Sequence, residues 1–459
     1  MKLHKISEIY PTFPLPEFDF MTKYHEGFVN SELGRIRAIL PLSEIASSIA
    51  VRSKNRSRKG KKSMFPPEGE IALMFLKSYT GLSDDGLIEM LNGSVYMQLF
   101  CGVLIEPCNP IKDGKIVSAI RNRLAEKIDI KELQKILYDK WQDKISNKDL
   151  CLTDATCYES FLRFPTDVKL LWECCEWLHA LMVKTCKKLT KRLPRNKYND
   201  INKARLAYAK QRKHSAAATR KIRRRLHKLL YKLITQWDNI CPESNPTITL
   251  SAEQNKRLST LREVYNQQKD LIPKKAVEHR IVSIDRPYIR PIIRGKENKR
   301  VEFGAKVNNI QIDGISFLEH LSFEAFNEGV RMKLCIEYQE SLTGVQVKRF
   351  GGDSIYANNA NRSFCTEKGI TTSFVRKGPK PKEEGKETRT ARRIIGTLRS
   401  TMMEGSFGTQ KQHYGVGRIA ARNQNSETLQ LFFGIHMANA ALIAARELAM
   451  KQSKKKEPA

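Results

Sequence analysis

The chain has 459 residues, with 81 lysines and arginines against 49 acids and a formal charge of +32. Hydrophobic residues make up 41%, enough for two or three domains with sizeable cores. The excess charge points to a polyanion, nucleic acid first and a membrane surface second. No run of about 18 apolar residues is expected to cross a bilayer, and Met1-Lys2-Leu3-His4-Lys5 lacks the apolar segment of a signal peptide. Ten scattered cysteines form no CxxC pair, so the structural-zinc spacing is absent. Cys174, Cys175, His179 and Cys186 are close in sequence but read as reduced residues of a cytosolic protein.

The prolines of Tyr10-Pro11-Thr12-Phe13-Pro14-Leu15-Pro16 predict an extended start, and Arg52 to Lys62 is a basic run without apolar residues. A helical module begins after Phe65-Pro66-Pro67. Ile71, Met74, Phe75 and Tyr79 share a helical face, Gly81-Leu82-Ser83 breaks it, and Ser83 caps a helix carrying Leu87, Ile88 and Leu91. A short helix holds Tyr96, Leu99 and Phe100. After Asn109-Pro110, Ile116 to Leu124 forms another, with Arg121 and Arg123 expected to project outward. Short helices with tight turns suit either a helix-turn-helix-like DNA reader or a plain packing domain.

Leu150 to Thr153 is short and apolar, as a buried strand is, and leads into Asp154 at its expected C-terminal end. Thr166 or Asp167 can cap a helix through Trp172, Trp177 and Leu181. From Lys184 to Lys232 only one acid, Asp200, interrupts the basic residues, which include Arg223, Arg224 and Arg225. Apolar stripes at Leu226 to Trp237 and Leu258 to Leu271 predict an antiparallel helical hairpin whose basic side faces phosphates. Strands follow at Arg300–Asn308 and Ile310–Leu318, with a turn near Asn308-Asn309, then a helix over Val330–Tyr338. The strand Val345–Phe350 runs into Gly351-Gly352-Asp353. Ala357–Lys368 is helical and closes at Gly369, and Ile370–Val375 is the next strand. The stretch from Arg392 to Lys411 reads as a helix with arginines at its start and Glu404 near its end, before a glycine-containing turn. Leu429–Met450 is the closing apolar helix.

Asp154 and Asp353 thus each end a strand, where α/β folds place their sites, and Glu404 is a lone acid in cationic surroundings. Three carboxylates can hold two divalent cations roughly 3.5–4 Å apart, an arrangement suited to a phosphodiester. Mg²⁺ prefers such hard oxygen ligands, and the acids repel one another without it.

Asp154-Ala-Thr after a strand, then Gly352-Asp353-Ser-Ile-Tyr356-Ala-Asn358-Asn359-Ala-Asn361-Arg362 with Lys368-Gly369-Ile370, then Glu404-Gly-Ser-Phe-Gly-Thr-Gln-Lys411, resembles the DDE transposases of bacterial insertion sequences, most of all the IS-five-like and IS-four-like superfamily. Phe65 to Leu124, with Tyr79-Thr-Gly-Leu-Ser83, is similar to that branch's N-terminal helical domain. The resemblance covers about residues 60–180 and 295–445. It implies an α/β, RNase H-like catalytic core over 148–167 and 295–450, a helical DNA-binding domain over 65–140, and a basic helical insertion over 168–280 between the first and second core strands. Residues 1–64 are then an extended arm with its basic segment, and 451–459 a disordered tail.

The same resemblance implies metal-dependent cleavage and strand transfer at transposon ends. Asp154, Asp353 and Glu404 are the catalytic metal ligands for two Mg²⁺ ions, with Mn²⁺ as a substitute, and Lys411 is the DNA-contacting lysine. Arg399 precedes Glu404 by five residues, where the family's arginine precedes it by four, and Ser400 and Thr397 stand at the family's arginine and tyrosine positions. Arg399, Arg376 and Lys377 are further expected phosphate contacts beside Arg121, Arg123, Arg223, Arg224 and Arg225. The implied partners are double-stranded DNA, as transposon ends and target, and a second copy in a synaptic homodimer, without a membrane; the implied location is the cytoplasm, on the nucleoid. The alternatives are a silent, domesticated DNA-binding protein and a structural RNA-binding protein.

Overall fold

The computed structural model describes residues 4–5, 20–51, 63–241, 249–293, 300–378 and 386–454. The expected extended segment at 10–16 and the basic run at 52–62 lie outside them. The chain is mixed α/β and divides into two compact units: residues 1–161, 305–322 and 326–459 form one, and 162–304 with 323–325 the other.

The first unit opens with β1 (His4–Lys5) and with three helices, α1 (Phe20–Asn30), α2 (Glu32–Ile39) and α3 (Leu42–Val51). An arm over 1–64 is therefore corrected: Ile36, Ile39, Ile45 and Ile49 are buried in the same core as the helices that follow. Next come α4 (Pro67–Thr80), α5 (Asp84–Gly93) and α6 (Val95–Cys101), then β2 (Val103–Leu104), which pairs antiparallel with β1, then α7 (Lys115–Ala125) and α8 (Ile130–Trp141). Local chemistry sets these boundaries. Gly81 ends α4 in the left-handed region at φ 63°, and the Ser83 hydroxyl accepts the Gly86 N–H at 3.0 Å to start α5.

Strand β3 (Leu150–Ser160) is the centre of the sheet. It is longer than its apolar start predicts, so Asp154 lies inside the strand and not at its end. In the second unit follow α9 (Asp167–Lys188), α10 (Tyr198–Ala209), α11 (Ala216–Ile240), α12 (Ala252–Leu271) and β4 (Pro291–Ile293). Strand β5 (Val301–Ile312) begins there, pairing antiparallel with β4, and continues into the first unit. It turns at Asp313-Gly314, both at positive φ (51° and 82°), into the antiparallel β6 (Ile315–Ser322). The expected turn at Asn308-Asn309 is corrected: both asparagines are buried inside β5, at an irregularity in its register. Asp-Gly is itself a strong hairpin signal.

The first unit continues with α13 (Met332–Thr343), β7 (Arg349–Gly351), α14 (Asn359–Glu367) and β8 (Thr371–Thr372). Then come α15 (Lys386–Leu398), a π-helical turn at Arg399–Met403, α16 (Glu404–His413), β9 (Arg418–Ile419) and α17 (Gln424–Lys454). The sheet order in this unit is β6-β5-β3-β7-β8; β3, β7 and β8 run parallel, and β9 joins the far end of β3 in parallel. Helix α17 extends to Lys454, which corrects the expected disordered tail over 451–454; residues 455–459 lie outside the described ones. This helix alone, among those described, is long and apolar enough to cross a membrane, which corrects the expectation that no such segment exists. Its apolar side chains are mostly spent inside the unit, where Leu429, Phe432, Phe433, Met437 and Ile443 join the core with α4, α7 and β6.

The second unit has its own core. Helices α9, α11 and α12 pack through Leu171, Leu178, Leu226, Leu230, Leu233, Trp237 and Leu261, with Ile201 of α10 against them. The expected two-helix hairpin is thus part of a four-helix assembly. Cys174, Cys175 and Cys186 are free and buried in this core, and burial pushes their thiols up. The His179 ring stacks on Tyr198 at 3.8 Å.

Candidate functional site

Strand register brings two of the three acids together. Leu152 of β3 pairs with Gly351 of β7, so Asp154 and Asp353 each lie two residues beyond that pair, Asp154 within β3 and Asp353 just past the end of the parallel β7. Gly351 has no side chain because there is no room for one: a Cβ would stand 2.7 Å from Leu152 Cδ2 and 2.8 Å from Ile395 Cγ2. Past it, β7 ends and Asp353 accepts the Ser354 N–H at 2.7 Å, capping a single turn. Asp154 accepts the Ala155 N–H at 2.8 Å.

Between the two carboxylates stands a guanidinium. Arg399 Nη2 donates to Asp154 Oδ2 at 2.9 Å, and Nη1 lies 4.0 Å from Asp353 Oδ1. The Asp154 side chain is 15% exposed and that of Arg399 18%, whereas Asp353 is 51% exposed. Burial raises the Asp154 carboxyl above the usual carboxylate range, and the charge and hydrogen bond of Arg399 offset this only in part. The buried Nε of Arg399 has no hydrogen-bond partner.

Arg399 is aimed at this pair by an irregular helix. Ile395, Leu398, Met403 and Phe407 pack against Leu150 and Leu152 of β3. The step of five between Leu398 and Met403 is one residue too long for an α-helical stripe, and the π-helical turn takes up the extra residue. Arg399 and Glu404 span the same turn. An i, i+5 pair in a π-helix is stacked as an i, i+4 pair is in an α-helix, so Arg399 and Glu404 lie on one face of the helix. Glu404 does not end a helix before a glycine turn, as expected, but begins α16, which runs through Gly405 and Gly408.

Glu404 is exposed, and its carboxylate has no hydrogen-bond or ion-pair partner among the described residues. No group of three His, Cys, Asp or Glu side chains that could hold a metal is found among the described residues. The expected cage of Asp154, Asp353 and Glu404 is therefore not assembled here. Asp154 and Asp353 alone face a common cation, the Arg399 guanidinium.

Lys411, seven residues after Glu404, donates to the Thr156 hydroxyl at 2.7 Å and lies 5.2 Å from the Tyr158 ring centroid. Thr156 is two residues beyond Asp154 on the same face of β3. Arg376 is exposed, and Lys377, also exposed, donates to Asn359 Oδ1 at 2.8 Å. Arg121 and Arg123 do not project outward. Arg121 grips Asp84, its Nη2 at 3.1 Å from Oδ2, beside Lys77, whose Nζ lies 2.7 Å from Oδ1; Arg123 pairs with Glu70. Burial opposes ionisation of Asp84, yet the hydrogen bonds of Arg121 and Lys77 win and hold its carboxyl below the usual range. In the second unit Arg223 bonds to Asp167 at 3.1 Å and to Gln268, while Arg224 and Arg225 are exposed.

The first unit also contains a cleft of about 1070 Å³, lined by the α4–α5 turn, the start of α7 and the segment Lys411–Asn423. Sequence reasoning missed Lys115, Arg418 and Arg422 in its walls; they are isolated basic residues, and only folding gathers them.

No curated protein and no solved structure matches the chain. Residues 23–123 match the family model described as Transposase domain (DUF772), which spans less than half of the chain, encloses the helices α2 to α6 and most of α7, and supports a transposase with DNA as its partner.

Proposed function

We propose that this protein is a transposase that binds the ends of an insertion sequence and catalyses metal-dependent cleavage and strand transfer at double-stranded DNA. The observation that carries the reading is the Asp154–Asp353 pair, one acid inside β3 and the other just past the end of the adjacent parallel β7, sharing one cationic partner, in a chain whose residues 23–123 match a transposase domain. The strand order β6-β5-β3-β7-β8, with an antiparallel β5–β6 hairpin and parallel β3, β7 and β8, supports an RNase H-like core. A Mg²⁺ or Mn²⁺ ion held by Asp154 and Asp353 would supply a Lewis acid for the scissile phosphate and for the attacking oxygen.

The chain's own residues do the rest. Asp154 and Asp353 present hard oxygens at a fixed separation set by strand register. Arg399, already at this pair, offers a charge to a phosphate oxygen. Lys411, held on the Thr156 hydroxyl, places a second positive charge along β3. Glu404, one π-turn from Arg399 and apart from the pair in this structure, is the acid that would complete the site once a metal ion is held there. The protein acts as a homodimer that pairs two DNA ends, in the cytoplasm on the nucleoid.

A second reading has an observation in its favour. Glu404 stands apart and Arg399 fills the space between the other acids, as befits a silent DNA-binding descendant. Cleavage of an end-containing duplex in Mg²⁺ or Mn²⁺, with DNA binding measured separately in EDTA, decides between them. Wild type is expected to cleave, and Asp154→Asn and Glu404→Gln are each expected to lose cleavage by at least about 100-fold while binding persists. Undiminished cleavage by either variant refutes the assignment of that acid. Binding without cleavage in the wild type favours the silent reading.

A further inference from the structure

The cleft in the first unit is built for an anion. Six lysines and arginines line it, at positions 77, 115, 121, 411, 418 and 422, against the single carboxylate of Asp84. That carboxylate is already engaged by Lys77 and Arg121. Lys115, Arg418 and Arg422 are exposed and have no ion-pair partner among the described residues; Arg418 lies over the Phe161 ring at 5.3 Å. Few apolar side chains line the cleft, Leu82, Ala420 and Ala421 among them, whereas small-molecule sites are mostly apolar. Uncompensated charge over an open surface suits a repeating polyanion, whose counterions are released when it binds.

Its position relative to the acids is fixed by β3. The cleft begins at Lys411, bonded to Thr156, and Arg418 pairs in register with Glu159. At about 3.3 Å per residue, Arg418 is roughly 16 Å along β3 from Asp154. That is about five base pairs of B-DNA at 3.4 Å each.

We propose that this cleft seats the phosphate backbone of double-stranded DNA about five base pairs from the bond presented to Asp154 and Asp353, with Lys115, Arg418 and Arg422 as its phosphate contacts. The proposal rests on DNA being the substrate, as above, but not on the acids being active. It assigns a binding role to three residues scattered over the sequence and makes the wall contributed by α7 and the wall contributed by β9 two sides of one DNA seat.

The test is binding of the full-length protein to a labelled duplex of arbitrary sequence, in EDTA, across a salt series. For Arg418→Gln/Arg422→Gln, a fourfold rise in salt should cost the wild type about 12-fold more affinity than the variant, because two phosphate contacts at about 0.9 each steepen the log–log slope by about 1.8. Lys115→Gln on the opposite wall should flatten the slope by about half as much. Arg418→Lys/Arg422→Lys, which keeps the charge, should retain the wild-type slope. Unchanged slopes in both glutamine variants overturn the proposal, as does a loss confined to an RNA duplex with DNA binding intact. A thermal melt matched to wild type shows that the variants are folded, and Lys115→Gln tests the cleft if the double variant is not. Cleavage is read in a separate Mg²⁺ assay, so inactive acids with an intact salt slope would fail the catalytic reading alone.

Discussion

Replacing Arg399 by alanine removes the only cation bonded directly to Asp154 among the described residues. Removing one partner of a buried ion pair costs about 3–5 kcal/mol. Here the side chains keep 15% and 18% exposure, and Asp154 keeps its bond from the Ala155 N–H, so about 2–3 kcal/mol is expected. For a unit of this size, at about 2 °C per kcal/mol, the melting temperature in EDTA should fall by about 4–6 °C. The loss should be greatest at neutral pH. A carboxyl whose folded pKa lies above its unfolded value contributes stability that is full below the unfolded value and is lost as pH rises through the folded one. Asp154 is already raised, and losing Arg399 raises it further, so the deficit should shrink towards pH 4. Mg²⁺ should restore part of it, since a ligand at 100 times its Kd contributes about 2.7 kcal/mol. Differential scanning fluorimetry at pH 7 and pH 4.5, with EDTA or Mg²⁺, reads all of this. The double variant Asp154→Asn/Arg399→Ala should show neither the deficit nor the rescue. An Arg399→Ala protein as stable as wild type in EDTA, and indifferent to Mg²⁺, would refute the idea that the acid pair requires a shared cation.

Three more outcomes follow from the same geometry. His436 is fully buried between Gln134 and Asn439, and burial lowers its pKa from 6.5 to about 3. The folded state therefore resists a proton that the unfolded state accepts, and stability should fall by roughly 1.4 kcal/mol per pH unit from 6.5 down to about 3; urea titrations of His436→Gln should show a flatter profile. Gly434→Ala would press a methyl into Val416 and within 2.8 Å of the Tyr414 carbonyl oxygen. It should cost about 1–3 kcal/mol and weaken DNA binding by displacing the 414–418 segment, which a combined melt and binding assay would register. Glu404→Gln alters an exposed, unpartnered carboxylate and should leave stability within about 0.5 kcal/mol of wild type, so any loss of cleavage would be chemical; a large drop in melting temperature would show an unseen structural role.

Much of the helical order could be read from the chain because its causes are local. Ser83 caps α5 and Thr166 caps α9, and Gly369 takes the left-handed position after α14, each within a turn of the residues that require it. The neighbourhood of Asp353 was legible for the same reason: a short strand, two glycines and a capping acid are contiguous. Asn308-Asn309 reads as a hairpin turn in the sequence because asparagines are turn formers. They are instead buried, where Asn308 donates to Glu319 and accepts from the Tyr356 hydroxyl, partners 11 and 48 residues away.

Composition alone determined that this protein carries far more positive charge than a core or ordinary solubility needs. It could not determine which cations are free. Arg121 and Arg123 looked like outward DNA contacts, yet their partners are Asp84 and Glu70, 37 and 53 residues distant. Lys115, Arg418 and Arg422 looked unremarkable and share one cleft. Likewise the sequence named Asp154, Asp353 and Glu404, but strand register joined only the first two, and the π-turn set Arg399 between them. Helix caps and apolar stripes depend on neighbours along the chain. Charge pairing and the meeting of carboxylates depend on neighbours in space, which exist only once the sheet and its helices have closed.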